Sequence, residues 1–166
     1  MILVGLGANL PSPMFGAPAR TLEAALGALE AEGIRVVARS RPYRSAPIPA
    51  SDQPWFVNAV ARLETGLSPG ALLDTLLDLE RRFGRIRGTA KAPRMLDLDL
   101  LAYHRVVTAP DAVPALPHPR LRGRGFVLVP LAEIAPGWRH PVTGETVAAL
   151  LGGLPKGQAV EPMIPS

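Results

Sequence analysis

The sequence predicts an α+β fold in which a mostly antiparallel sheet carries its helices packed on one face. Three observations support this: short apolar runs with strand-like alternation, two longer segments with helical spacing, and an order of strand, helix, strand, strand, helix, strand. With 166 residues the chain fits one domain, and a domain of this size buries roughly two-thirds of the surface its unfolded chain exposes.

Residues 1–7, MILVGLG, form an apolar run ending in glycine, as expected of a buried first strand. The loop ANLPSPMFGAP follows. From Ala19 the positions Leu22, Ala25, Leu26 and Leu29 recur at helical spacing, and Gly33 stops the helix. Residues 34–40 and 55–63 read as the second and third strands, separated by the proline-bearing loop YRSAPIPASDQP, too long for a tight hairpin. Ser68 as N-cap and Pro69 at the first helical position open a second helix to Phe83, with Leu72, Leu73, Leu76, Leu77 and Leu79 on a wide apolar face. LDLDLLAY, residues 96–103, alternates as a strand does and is the fourth. A last helix is expected over residues 125–134. This order is the ferredoxin-like βαββαβ arrangement, with residues 1–154 as one domain and 155–166 as a C-terminal tail.

The chain has no cysteine, so disulfides, thiolate metal sites and cysteine nucleophiles are excluded. No apolar run approaches the roughly 20 residues of a membrane span, and the N-terminus lacks the basic region of a signal peptide. A soluble, cytoplasmic protein is expected. The net charge of +4 favours an anionic partner. The cations fall in two short clusters, Arg81 to Arg94 and Arg120 to Arg124, which suit a nucleotide better than a long polyanion. Side-chain amides are limited to Asn9, Gln53, Asn58 and Gln158, a shortage that suits either a heat-adapted source or GC-rich coding.

In an extended strand Asp97 and Asp99 share a face at about 6 to 7 Å, and at an effective dielectric near 20 they repel by about 2 to 3 kcal/mol. A divalent cation removes that penalty, and magnesium prefers such hard oxygen ligands, with substrate phosphates and water completing its shell. The alternative is an outward-facing pair on an edge strand. Arg85, Arg87, Lys91 and Arg94, in a glycine-containing loop just before the pair, are the groups that polyphosphate oxygens need. His118 and Arg124 lie in a second basic segment, LPHPRLRGRGF.

MILVGLGANL, YRSAPI, DQPWFVNAVARLET, RRFGRIR, PRMLDLDLL and LPHPRLRGRGFVLVPL, in that order, resemble the signatures of the 6-hydroxymethyl-7,8-dihydropterin pyrophosphokinase family of folate biosynthesis. The resemblance runs from about residue 1 to 153. It implies the ferredoxin-like fold, two Mg2+ ions, and transfer of the β,γ-pyrophosphate of ATP to the pterin hydroxymethyl oxygen with release of AMP. Asp97 and Asp99 match the metal-binding aspartates. Asn58 matches the residue that hydrogen-bonds the pterin, Phe56 and Phe126 the aromatics that sandwich it, and Ser45, Ala46 and Ile48 the loop lining its pocket. For ATP the implied set is Glu80, Arg87, Arg94, His118 and Arg124, with Lys91 as a further cation. Arg85 matches a mobile-loop arginine and joins Arg94, Asp97 and Asp99 in the catalytic set. The segment GTAKA between Arg87 and Pro93 is one residue shorter than in well-known members and lacks the arginine-tryptophan pair that some carry there.

An RNA-binding module shares this strand order, but its sheet displays aromatics where LDLDLLAY displays carboxylates. A nucleotidyltransferase with an Asp-x-Asp pair would release pyrophosphate instead of AMP. The expected protein is therefore a monomeric enzyme acting on ATP and the pterin, binding neither nucleic acid nor membrane.

Overall fold

The apolar positions of the chain sort onto two faces of one sheet, and this sorting sets the architecture. The computed structural model describes residues 1–84 and 95–163, so the segment carrying Arg85, Arg87, Lys91, Arg94 and GTAKA lies outside the described residues. Among the described residues the order is β1 (Ile2–Ala8), α1 (Pro18–Ala31), β2 (Arg35–Arg39), β3 (Tyr43–Ser45), β4 (Phe56–Glu64), α2 (Pro69–Arg82), β5 (Asp97–Tyr103), α3 (Gly125–Ile134), α4 (Val147–Gly152) and β6 (Val160–Pro162). The strands form one antiparallel sheet ordered β5-β1-β4-β3-β6, with β2 also paired to β4.

β2 and β3 lie end to end along one edge of β4. Arg35 pairs with Glu64 at one end and Ser45 with Phe56 at the other. Ser40 bridges the break: its backbone N–H donates to the Val60 carbonyl at 2.9 Å, and its Oγ accepts from the Val60 amide at 3.0 Å. The pairing that Pro42 interrupts is thus carried by a side chain.

Ile2, Val4, Leu6 and Ala8 of β1 meet Leu22, Ala25, Leu26 and Leu29 of α1 and Leu72, Leu76 and Leu79 of α2 in one core. α1 and α2, the helices of the βαββαβ order, share this face as expected. Ser68 caps α2, its Oγ accepting from the Ala71 amide at 3.2 Å, with Pro69 in the first turn. A second core on the opposite face joins Leu3, Val60 and Leu101 to Val127, Leu128 and Leu131 of α3 and to Val147 and Leu150 of α4. α3, the helix expected over residues 125–134, and α4 therefore form a layer on this opposite face. An irregularity between Leu3 and Val4 in the β1–β5 register lets Leu100 point into the first core and Leu101 and Ala102 into the second.

Besides α4, two strands were not anticipated. β3 forms inside the predicted proline-bearing loop, and the segment read as a tail from residue 155 returns to the sheet as β6, paired with β3. The Met163 amide extends this pairing by donating to the Pro42 carbonyl at 3.0 Å.

The Glu133 carboxylate of α3 anchors β3. It accepts from the Tyr43 hydroxyl at 2.6 Å and from the Arg41 amide at 3.0 Å, and pairs with the Arg41 side chain. Burial and then the Glu133 carboxylate push the Tyr43 phenol up to about 12. An unfolded phenol ionises near pH about 10, so this contribution is complete below that pH and is lost as pH rises through about 12. Tyr43→Phe should lower stability by about 1 kcal/mol at neutral pH and flatten the alkaline decline. Urea unfolding at pH 7 and above pH 10 measures both, and an unaltered alkaline decline refutes the coupling.

Candidate active site

Along the face of β1 that carries α3, Leu3 is followed by two glycines. Leu3 fills the core beneath α3, whereas Gly5 and Gly7 continue the same face without side chains. Gly7 pairs with Asn58 of β4 on one side and Asp97 of β5 on the other; Gly5 pairs with Val60 and Asp99. Two strand spacings put the carboxylates about 10 Å from the β4 side chains. The bare backbone between them is the floor of a trough. A Cβ on Gly7 would meet Asn58 Nδ2 at 3.1 Å, so glycine there leaves room for the amide.

This trough is part of a cavity of about 680 Å3. Ser45, Ala46, Ile48, Phe56, Asn58 and Phe126, the six positions expected around a heteroaromatic ring, all line it, together with Asp97, Asp99 and Arg124. Pro47, Pro49 and Val127 add apolar lining, the two carboxylates stand on the β5 side, two strands from Asn58, and the Arg124 guanidinium lies beside Phe126. Asn58 and Ser45 are both buried, and the Ser45 hydroxyl donates to Asn58 Oδ1 at 2.6 Å. That bond fixes the amide orientation and leaves Nδ2 as a donor and a second Oδ1 lone pair for an edge with both donor and acceptor groups.

The expected nucleotide residues separate by position. Arg124 lines the cavity, with its guanidinium 5.2 Å from the Phe126 ring centroid. Burial and then Arg120 lower its pKa, Asp99 and Asp97 oppose this, and a guanidinium stays charged. His118 lies along the outer edge of β5, its backbone N–H donating to the Leu101 carbonyl at 2.8 Å. Its Nδ1 accepts from the Arg120 amide at 3.1 Å, so the neutral ring carries its proton on Nε2. Burial, ahead of the opposing field of Asp99, holds the imidazole toward that neutral form, and Arg124 and Arg120 add to the effect. Glu80 is buried at the same edge and accepts the Leu98 amide at 2.9 Å. It supports the strand between the two aspartates and does not line the cavity.

Pro155, Lys156, Gly157 and Gln158 also line the cavity, although the sequence alone suggested a tail. Gly5 and Gly7 were likewise not singled out as site residues; the Val-Gly-Leu-Gly alternation over residues 4–7 was a usable signal for them. For the C-terminal segment no local signal exists, because its partners lie more than 30 residues away.

A family model described as 7,8-dihydro-6-hydroxymethylpterin-pyrophosphokinase (HPPK) matches residues 3–136. The 2-amino-4-hydroxy-6-hydroxymethyldihydropteridine pyrophosphokinase of Methylorubrum extorquens is 44% identical over 152 residues, 91% of this chain and 91% of that protein. The protein of the same name in Synechocystis is 42% identical over 149 residues, covering 90% of this chain and 73% of the relative. That of Pseudomonas aeruginosa is 40% identical over 156 residues, covering 93% and 91%.

Gly7→Ala should displace the Asn58 amide, which Ser45 prevents from turning aside, and cost about 1 kcal/mol through overpacking. A shift of the Asn58 side-chain amide resonances in the variant would report the displacement. Unmoved resonances would reject the close approach.

Proposed function

The chain belongs to the 7,8-dihydro-6-hydroxymethylpterin-pyrophosphokinase family, and from that premise we propose how its residues carry out the family's reaction. It is an enzyme that transfers pyrophosphate from ATP to the hydroxymethyl group of 6-hydroxymethyl-7,8-dihydropterin in folate biosynthesis. The single observation that carries the site assignment is one cavity lined both by a fixed amide on β4 and by paired carboxylates on β5.

The pterin ring lies between Phe56 and Phe126, with Asn58 reading its edge and Ser45 to Ile48 forming the wall. A flat ring gains from two aromatic faces, and the amide discriminates against rings lacking the matching donors and acceptors. On the β5 side Asp97 and Asp99 hold Mg2+. Their oxygens fit that ion, and among the described residues no cluster of three or more histidine, aspartate or glutamate side chains competes for it. Two carboxylates leave positions for phosphate oxygens, which is the arrangement a metal–nucleotide substrate requires. When bound, two such ions neutralise phosphate charge.

In the transfer a bond forms between the pterin hydroxymethyl oxygen and the β-phosphorus, the bond from that phosphorus to the α–β bridging oxygen breaks, and AMP leaves. Arg124, and from the sequence resemblance Arg85, Arg87, Lys91 and Arg94, stabilise the charge that moves toward the leaving phosphate. His118 offers a neutral Nε2–H donor to the nucleotide. Glu80 acts on the nucleotide side through the β5 edge it supports. Asp99, which lines the cavity, assists the loss of the hydroxyl proton. The same reading takes the enzyme as a cytoplasmic monomer; no described helix is long and apolar enough to cross a membrane.

Protein, Mg2+, ATP and the hydroxymethyl dihydropterin should together yield AMP and the pterin diphosphate. ADP as product, or no turnover, would overturn the assignment. Asp97→Asn should reduce turnover at least about 100-fold with the unfolding midpoint unchanged, and retained activity at limiting Mg2+ would remove Asp97 from the metal site. Phe126→Ala should raise the pterin KM about tenfold by removing one face of the sandwich; an unchanged KM would reject that pocket.

A further inference from the structure

α3 begins at the turn Gly123–Arg124–Gly125, which delivers Arg124 and Phe126 to the cavity. Its N-cap residue, Arg124, makes no capping hydrogen bond with its side chain. The first amide of a helix has no partner within the helix and needs one from elsewhere. Here the Gly125 amide donates to Gln158 Oε1 at 2.7 Å, and Gln158 Nε2 donates to the Gly123 carbonyl at 2.6 Å. Only one orientation of the amide satisfies both bonds, since one partner is a donor and the other an acceptor.

We propose that Gln158 is a positioning residue that caps α3 from the C-terminal segment and so sets Arg124 and Phe126 over the cavity. Two glycines make the clamp possible. Gly123 adopts φ +88°, in the left-handed region that other residues rarely occupy. A Cβ on Gly125 would stand 3.0 Å from Gln158 Oε1 and 3.3 Å from Val160 Cγ2, so this glycine admits the clamp.

The segment is fixed at its other end as well. Val160 pairs with Ser45 across β6 and β3, and the Ala46 amide donates to the Ala159 carbonyl at 3.2 Å. Residues 158–160 thus join the wall of the pterin pocket at Ser45 and Ala46 to the turn that carries Phe126. One amide side chain holds the two sides of the pocket in register.

This inference rests on the pterin-site reading above, and its test separates the two. Gln158→Ala should raise the KM for the pterin and for ATP about tenfold, the effect of losing both bonds, and should lower kcat as Arg124 shifts from the leaving phosphate. Amide hydrogen exchange at Gly125 should accelerate at least about tenfold, with exchange in β1 unaltered. Gln158→Glu keeps the acceptor for Gly125 but places a carboxylate oxygen against the Gly123 carbonyl, so it should give an intermediate KM, and it carries the test if the alanine variant fails to fold. Unchanged KM values, unchanged Gly125 exchange, or a uniform rise in exchange across the sheet would each overturn the proposal. Absence of wild-type turnover would fail the functional reading instead, and Gly125 exchange would still decide the cap.

Discussion

β1 lies between β4 and β5, and its register with both neighbours is the constraint on which the site depends. One face of the strand buries Ile2, Val4 and Leu6 almost completely against α1 and α2. A slip of one residue would turn these side chains to the other face, at about 1.5 to 3 kcal/mol for each large apolar side chain exposed. That penalty exceeds the few kcal/mol of repulsion between two carboxylates held about 6 to 7 Å apart. Packing on one face therefore fixes the spacing of charged groups on the other. Gly5 and Gly7 complete the effect by leaving the space between Asp97, Asp99 and Asn58 open.

The outer edge of β5 shows how the second basic segment reaches the same place. Leu98 donates to the Glu80 carboxylate and Leu101 accepts from the His118 backbone. Both bonds satisfy edge groups that would otherwise be open to another strand. The second also brings the His118 imidazole into the electrostatic field of Asp99. A structural requirement of the edge strand and the placement of a proposed nucleotide-binding group are met by the same contact.

Elements with strong local signals were legible. Ser68 and Pro69 mark the start of α2, and the periodic leucines mark its buried face. The alternation of LDLDLLAY places Asp97 and Asp99 on one face, which the register to Gly7 and Gly5 matches. β3 and β6 were not legible, because each is three residues long and proline-flanked or proline-ended. Such strands form only when a neighbour supplies the pairing. α4, six residues opened by Thr146, is similarly short, and its stability comes from Val147 and Leu150 packed against α3. The amides tell a related story. Asn9 reaches Gln53 and the Pro54 carbonyl, Asn58 meets Ser45, and Gln158 meets the α3 turn, so all four side-chain amides of the chain serve contacts between distant segments.

By itself, the sequence determined the α+β order, the face shared by the aspartates, the α2 cap and, through resemblance, the residues expected around the pterin. These depend on periodicity, local capping and ordered motifs, all of which are written within a few residues. Only the tertiary structure decided that Phe56, Asn58 and Phe126 share one cavity with Asp97 and Asp99, and that the C-terminal segment closes its wall. Those relations depend on strand register and on hydrogen bonds between residues as much as 117 positions apart, where no local pattern carries the information.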